Sequence, residues 1–99
     1  MPEGEVLALA QDMTISRDEF VRSLRGAVAG AAFTVAGSDI RPLDAGQRWR
    51  IVLEALPDLS LGAIRLPRQR VAIYLAGCDA IASRRFLDRF ELHFRRGGG

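Results

Sequence analysis

The amino-acid sequence predicts an α+β two-layer sandwich, in which an antiparallel sheet of about four strands carries two helices on one face. Three observations lead there. Ser16-Arg17-Asp18-Glu19 opens a segment whose apolar residues return every fourth position. Residues 48–56 and 70–76 alternate between two faces, one of them wholly apolar. Residues 79–96 then return to a helical stripe closed by Arg95, Arg96 and Gly97. The order of elements is β-α-β-β-(β)-α, one domain over residues 1–96 followed by a glycine tail at 97–99.

Glu5-Val6-Leu7-Ala8-Leu9-Ala10 is a short apolar run, long enough for a buried strand and too short for a helix. The capping box follows: the Ser16 hydroxyl is placed to accept from the backbone N–H of Glu19, and the Glu19 carboxylate to reach back to Ser16. Asp18 and Glu19 also put negative charge on the positive end of the helix dipole. Phe20, Leu24 and Val28, flanked by Val21 and Ala27, form the apolar stripe of a helix of roughly 14 residues that ends near Gly30, with Arg22 and Arg25 on the opposite side.

Phe33 and Val35 alternate with Thr34 and Ala36 and predict a strand stopped by Gly37-Ser38-Asp39, followed by a loop holding Pro42, Asp44 and Gly46. Along residues 48–56, Trp49, Ile51, Leu53 and Ala55 share one face, and Arg48, Arg50, Val52 and Glu54 the other. Residues 59–66 read either as a short strand or as a packed loop. Gly62 and Pro67, so close together, favour the loop. In residues 70–76, Val71, Ile73 and Leu75 point one way and Arg70, Ala72 and Tyr74 the other. Asp79 is a natural N-cap for the last helix, with Ile81, Phe86, Leu87, Phe90 and Phe94 as its stripe. Phe90, Leu92 and Phe94 also alternate. A strand over residues 90–95 would bring the order close to the ferredoxin-like β-α-β-β-α-β, but the helix accounts for Phe86 and Leu87 as well and is the reading adopted.

Composition bounds the function classes. Of 99 residues, 48% are apolar and 26% charged, the figures of an ordinary globular domain and not of a disordered chain, a collagen-like repeat or a disulfide scaffold. No apolar run approaches the roughly 20 residues that cross a bilayer, and with a single cysteine, Cys78, the expected location is the cytoplasm. All 14 basic residues are arginines. Residues 1–60 hold six Arg against nine acids, a net of −3, and residues 61–99 eight Arg against three acids, a net of +5. A chain so divided suits an oriented protein surface or the docking of two copies.

Catalytic constellations are sparse. Cys78 and Arg84, five residues between them, have a spacing similar to the anion cradle of tyrosine-phosphatase-like enzymes. The intervening Asp79-Ala80-Ile81-Ala82-Ser83 has no glycine to curl the loop, and Asp79 repels an anion, so Cys78 reads as a small buried thiol at a strand end beside an N-cap. With His93 the only histidine, no histidine-based metal site or Ser-His-Asp arrangement is implied, no cofactor is called for, and the chain is expected not to be an enzyme. Gly97-Gly98-Gly99 resembles the tail of ubiquitin-like carriers, although only one strand precedes the first helix where a β-grasp has a hairpin; Gly97 also serves as a helix stop.

The expected site is the sheet face turned away from the helices, where Arg48, Arg50, Arg70 and Tyr74 are candidate partner-binding residues. Arg84, Arg85 and Arg89 on the last helix form a second, acid-seeking surface. Tyr and Arg are enriched in interface cores, so the expected function is a small binding or accessory protein that self-associates or joins a larger complex. An RNA or single-stranded nucleic-acid module is the alternative, a face on which Tyr stacks bases and Arg holds phosphates. A Gly-Gly carrier is the third.

Overall fold

A computed structural model describes residues 4–44 and 46–96. The glycine tail at 97–99, and with it the carrier reading, lies outside the described residues. The elements are β1 (Glu5–Met13), α1 (Arg17–Ala27), β2 (Phe33–Ala36), β3 (Asp39–Pro42), β4 (Trp49–Leu61), β5 (Ile64–Ala76) and α2 (Ala80–Arg96). One five-stranded sheet runs in the order β1-β5-β4-β3-β2, every neighbouring pair antiparallel. The chain therefore enters at one edge, crosses the sheet through α1 to the other edge, and meanders back until β5 lies against β1.

This is an α+β fold, but three expectations are corrected. The sheet has five strands rather than about four, and its order is not ferredoxin-like, because four consecutive strands separate the helices and residues 90–95 belong to α2. The additional strand is β3, only four residues long, which turns back at Gly37 (φ +62°) and pairs Ala36 with Asp39. Residues 59–66 are strand and not packed loop. Gly62 takes φ +61° in a two-residue turn with Ala63, an orientation that suits the twist of a hairpin. Pro67 is tolerated because it lies opposite a bulge: Leu56 pairs with Arg68 and Leu59 with Leu66, so Pro57 and Asp58 on β4 face Pro67 alone.

The apolar faces meet over most of their length, but Ile81, expected in the stripe of the last helix, is 66% exposed, and β1, expected to be a buried strand, lies at the sheet's edge with Val6 and Leu7 exposed. Phe20 and Leu24 of α1 and Phe90 and Phe94 of α2 are buried against Ile51 and Leu53 of β4, Val71, Ile73 and Leu75 of β5, and Ile40 of β3. Phe94 stacks on Phe20 and Phe90 at centroid distances of 4.6 and 4.4 Å. The helices approach closely at Gly26, where a Cβ would fall 2.7 Å from Cδ2 of His93. Both helix starts are capped: Glu19 N–H donates to Ser16 Oγ (3.1 Å) and Ala82 N–H to Asp79 Oδ1 (2.8 Å). No helix among the described residues is long and apolar enough to cross a membrane.

Candidate functional site

Side chains opposite one another across an antiparallel ladder stand on the same face. Trp49, Ile51 and Leu53, paired with Leu75, Ile73 and Val71, therefore share the helix side and are buried. Arg50, Val52 and Glu54, paired with Tyr74, Ala72 and Arg70, share the reverse side, which neither helix covers. Strand β1 extends that open face with Glu5, Leu7, Ala10 and Asp12, and β3 with Asp39.

Arg50 stands near the middle of this face as the hub of a four-strand knot. Its Nε and Nη2 donate to the two carboxylate oxygens of Glu5 on β1, at 2.9 and 2.7 Å. Its Nη1 donates to Asp39 Oδ1 on β3 at 3.0 Å, and the guanidinium lies 4.4 Å from the ring centroid of Tyr74 on β5. The forked contact is the geometry that Arg supplies and Lys does not. The Arg50 and Glu5 side chains are only 15% and 5% exposed, so the pair is shielded from competing water. The Arg50 hydrogen bonds hold the Glu5 carboxyl below the usual carboxylate range, against the opposing push of burial. The same Glu5 contact, opposed by burial and helped by Asp39, raises the Arg50 pKa further above its already high value.

Arg70 is matched as well. Its Nε donates to Asp12 Oδ1 at 3.1 Å, with Glu54 at 3.9 Å on the other flank and Arg68 reaching the same Asp12 at 3.6 Å. Arg48, just ahead of β4, sits at the end of the sheet, where Ala76 N–H donates to its carbonyl and its guanidinium lies against Gly77. Tyr74 is half-buried beneath Arg50. Arg84, Arg85 and Arg89 are exposed on α2, on the other side of the molecule. The seven residues singled out by the sequence thus occupy three places: a charge-matched sheet face, the sheet's end, and the helical layer. Glu5, Asp12 and Asp39 went unrecognised as partners because their strands meet β4 and β5 only in the tertiary fold. Glu54 opposite Arg70 follows from the β4–β5 register once the hairpin is drawn.

Beyond the knot, β4 and β5 run on together as an arm. Strand β1 pairs with β5 only from Gln69 to Ala76, and β3 pairs with β4 only at Ile51 and Val52, so no third strand among the described residues flanks 59–66. The arm contributes to a long axis of 45 Å, against 26 and 22 Å across. Its cross-strand pairs Leu59–Leu66 and Leu61–Ile64 fall, by the two-residue period of β5, on the same side as Arg68, Arg70 and Tyr74. Leu59, Leu61 and Ile64 are 37%, 56% and 59% exposed.

Cys78 is half-buried, its thiol donating to the Ala76 carbonyl at 3.6 Å. Among the described residues no group of three His, Cys, Asp or Glu side chains comes together as a metal site requires. The chain matches no protein-family model, no curated protein and no solved structure.

Proposed function

We propose that the protein is a non-enzymatic interaction module that associates with a second copy of itself through its open sheet face and the β4–β5 arm. The observation that carries this reading is the arm: two apolar cross-strand pairs, exposed at Leu59, Leu61 and Ile64, on a hairpin with neither edge paired among the described residues. An apolar strand edge free in water is a template for another strand, and folds that do not use one blunt it with charge, proline or cover. Here Pro67 and the Pro57-Asp58 bulge lie at the base of the arm, and its apolar tip is left open. In a pair related by a twofold axis, one patch meets its own copy, and the arm supplies the self-complementary ladder such a contact needs.

The charges of the face contribute to this reading in a way the sequence did not suggest. Arg50 and Arg70 are engaged by carboxylates of their own chain, so the sheet presents a neutralised surface with Tyr74 and Leu7 on it, which is suited to another protein surface more than to a polyphosphate. Nucleic-acid binding through Arg50 and Arg70 would have to break these pairs. Replacing Arg50 by Glu would set three carboxylates together and destabilise the sheet itself, so it does not serve as a test of contact.

Leu61→Ser with Ile64→Ser removes the apolar tip without touching the core. Light scattering should give the wild type twice its 10.9 kDa chain mass and the double variant the single mass, with unchanged circular dichroism. A wild type that runs as a single chain at tens of micromolar, or a double variant that still pairs, refutes self-association through the arm. Retention of the wild type on single-stranded nucleic acid that falls steeply with salt would support the alternative module instead.

A further inference from the structure

On the helix side of the molecule the charge pattern is inverted. Trp49, the first residue of β4, is 5% exposed, packed edge-on against Phe33 and tilted against Phe86, each at 6.2 Å between ring centroids. Its Nε1–H is buried and has no acceptor, the only buried side-chain nitrogen or oxygen so placed among the described residues. Folds rarely leave a buried donor unmatched, and this one is closed to water as well.

The indole forms part of the wall of a cavity of about 190 Å³ between the end of α1 and the middle of α2. Arg85 and Arg89 line it from α2, one turn apart on one stripe of the helix, and Gln47 closes it from the loop before β4. Neither arginine makes an ion pair within the chain among the described residues, whereas Arg50 and Arg70 on the sheet face each have two. Among the described residues no carboxylate lines this cavity. Its charged and polar lining consists of Arg85, Arg89 and Gln47, and Ala27, Val28, Phe86 and the Trp49 indole make up its apolar part.

We infer that this cavity is a binding site for a small organic acid, an oxyanion headgroup on a flat apolar body. Arg85 and Arg89 hold the carboxylate, whose two oxygens match the fork of a guanidinium, and the body lies along Phe86, Val28 and the Trp49 indole. A second cavity of about 400 Å³, reaching toward Arg48 and Cys78, shares Gln47, Trp49 and Phe86 with the first, so a longer body has room to continue past the indole.

Trp49 is the chain's only tryptophan, so its emission reports on the site directly. Benzoate is the probe, and benzamide, with the same ring and no charge, the control. A saturable change in Trp49 emission with benzoate and none with benzamide is the expected result. Arg85→Gln with Arg89→Gln, both at exposed positions, should lower benzoate affinity by about tenfold or more while leaving the thermal melt in place. No saturable response to benzoate, an equal response to benzamide, or full affinity in the double arginine variant would each overturn the site.

Discussion

At the scale of single residues, the most consequential contact is between Glu5 and Arg50. Glu5 lies on the first strand and Arg50 on the fourth, and their two-point contact ties the sheet across β5, which lies between them. Because the folded state lowers the Glu5 pKa, the stabilisation is fully present above the ordinary carboxylate value and is lost as pH falls through the depressed one. Urea melts from pH 7 downward should therefore show wild-type stability declining on the acid side of about pH 5. Glu5→Gln should be less stable by about 2 kcal/mol at pH 7, and the two curves should converge in acid. Parallel curves at every pH would mean that the ion pair adds no net stability. The knot also shows how far a sequence can be read at this scale. Alternation gave the face on which Arg50 and Tyr74 stand, but which acid meets the guanidinium depends on which strand lands beside which, and no local pattern carries that information.

The elements themselves were the most legible part of the chain. Phe20, Leu24, Phe90 and Phe94 are all buried, as helical periodicity required, and the alternation at 49–53 and 71–75 sorted buried from open residues correctly. What escaped were the features that depend on turns. Strand β3 is too short to show a period. The arm has too few residues, and too much glycine and proline, to read as strand until the bulge is seen to absorb Pro67. The end of α1 is another such case. Gly30 N–H bonds Arg25 O and Ala29 N–H bonds Gly26 O, a Schellman motif, but the residue at the left-handed C′ position is Ala29 (φ +56°), with Gly30 one place further on. An alanine there carries the strain that glycine avoids, partly offset by glycine's greater freedom in the unfolded chain. Ala29→Gly should therefore raise stability by up to about 1 kcal/mol, seen as a later urea midpoint with unchanged slope. A loss of stability would show that the motif is held by packing and not limited by its backbone.

For the molecule as a whole, the sheet order decides where stability resides. The residues between the helices and the sheet's centre form one packed body, and the arm stands outside it. Amide exchange on the Leu61→Ser/Ile64→Ser variant should find residues 59–66 opening locally, with protection well below that of residues 71–75, which are released only by global unfolding. In the wild type, pairing of two arms should raise protection at 59–66 and leave 71–75 unchanged. Equal protection along the whole of β5 in the variant would mean that arm and body unfold as one. This two-part character was hidden from the sequence because the same apolar residues serve a core and an exposed tip alike, and only the extent of β1 and β3 tells them apart. The seating of β1 against β5, with Glu5 beside Ala76 and Met13 beside Gln69, has a kinetic corollary. The meander can zip up from neighbouring hairpins, but its last seam joins segments remote along the chain, and that loop must close before the Arg50 knot can be tied. The first strand is thus the clasp of the fold, the last piece to fasten, and a synthetic peptide carrying residues 5–13 should be able to occupy the same slot when the chain's own copy has been removed.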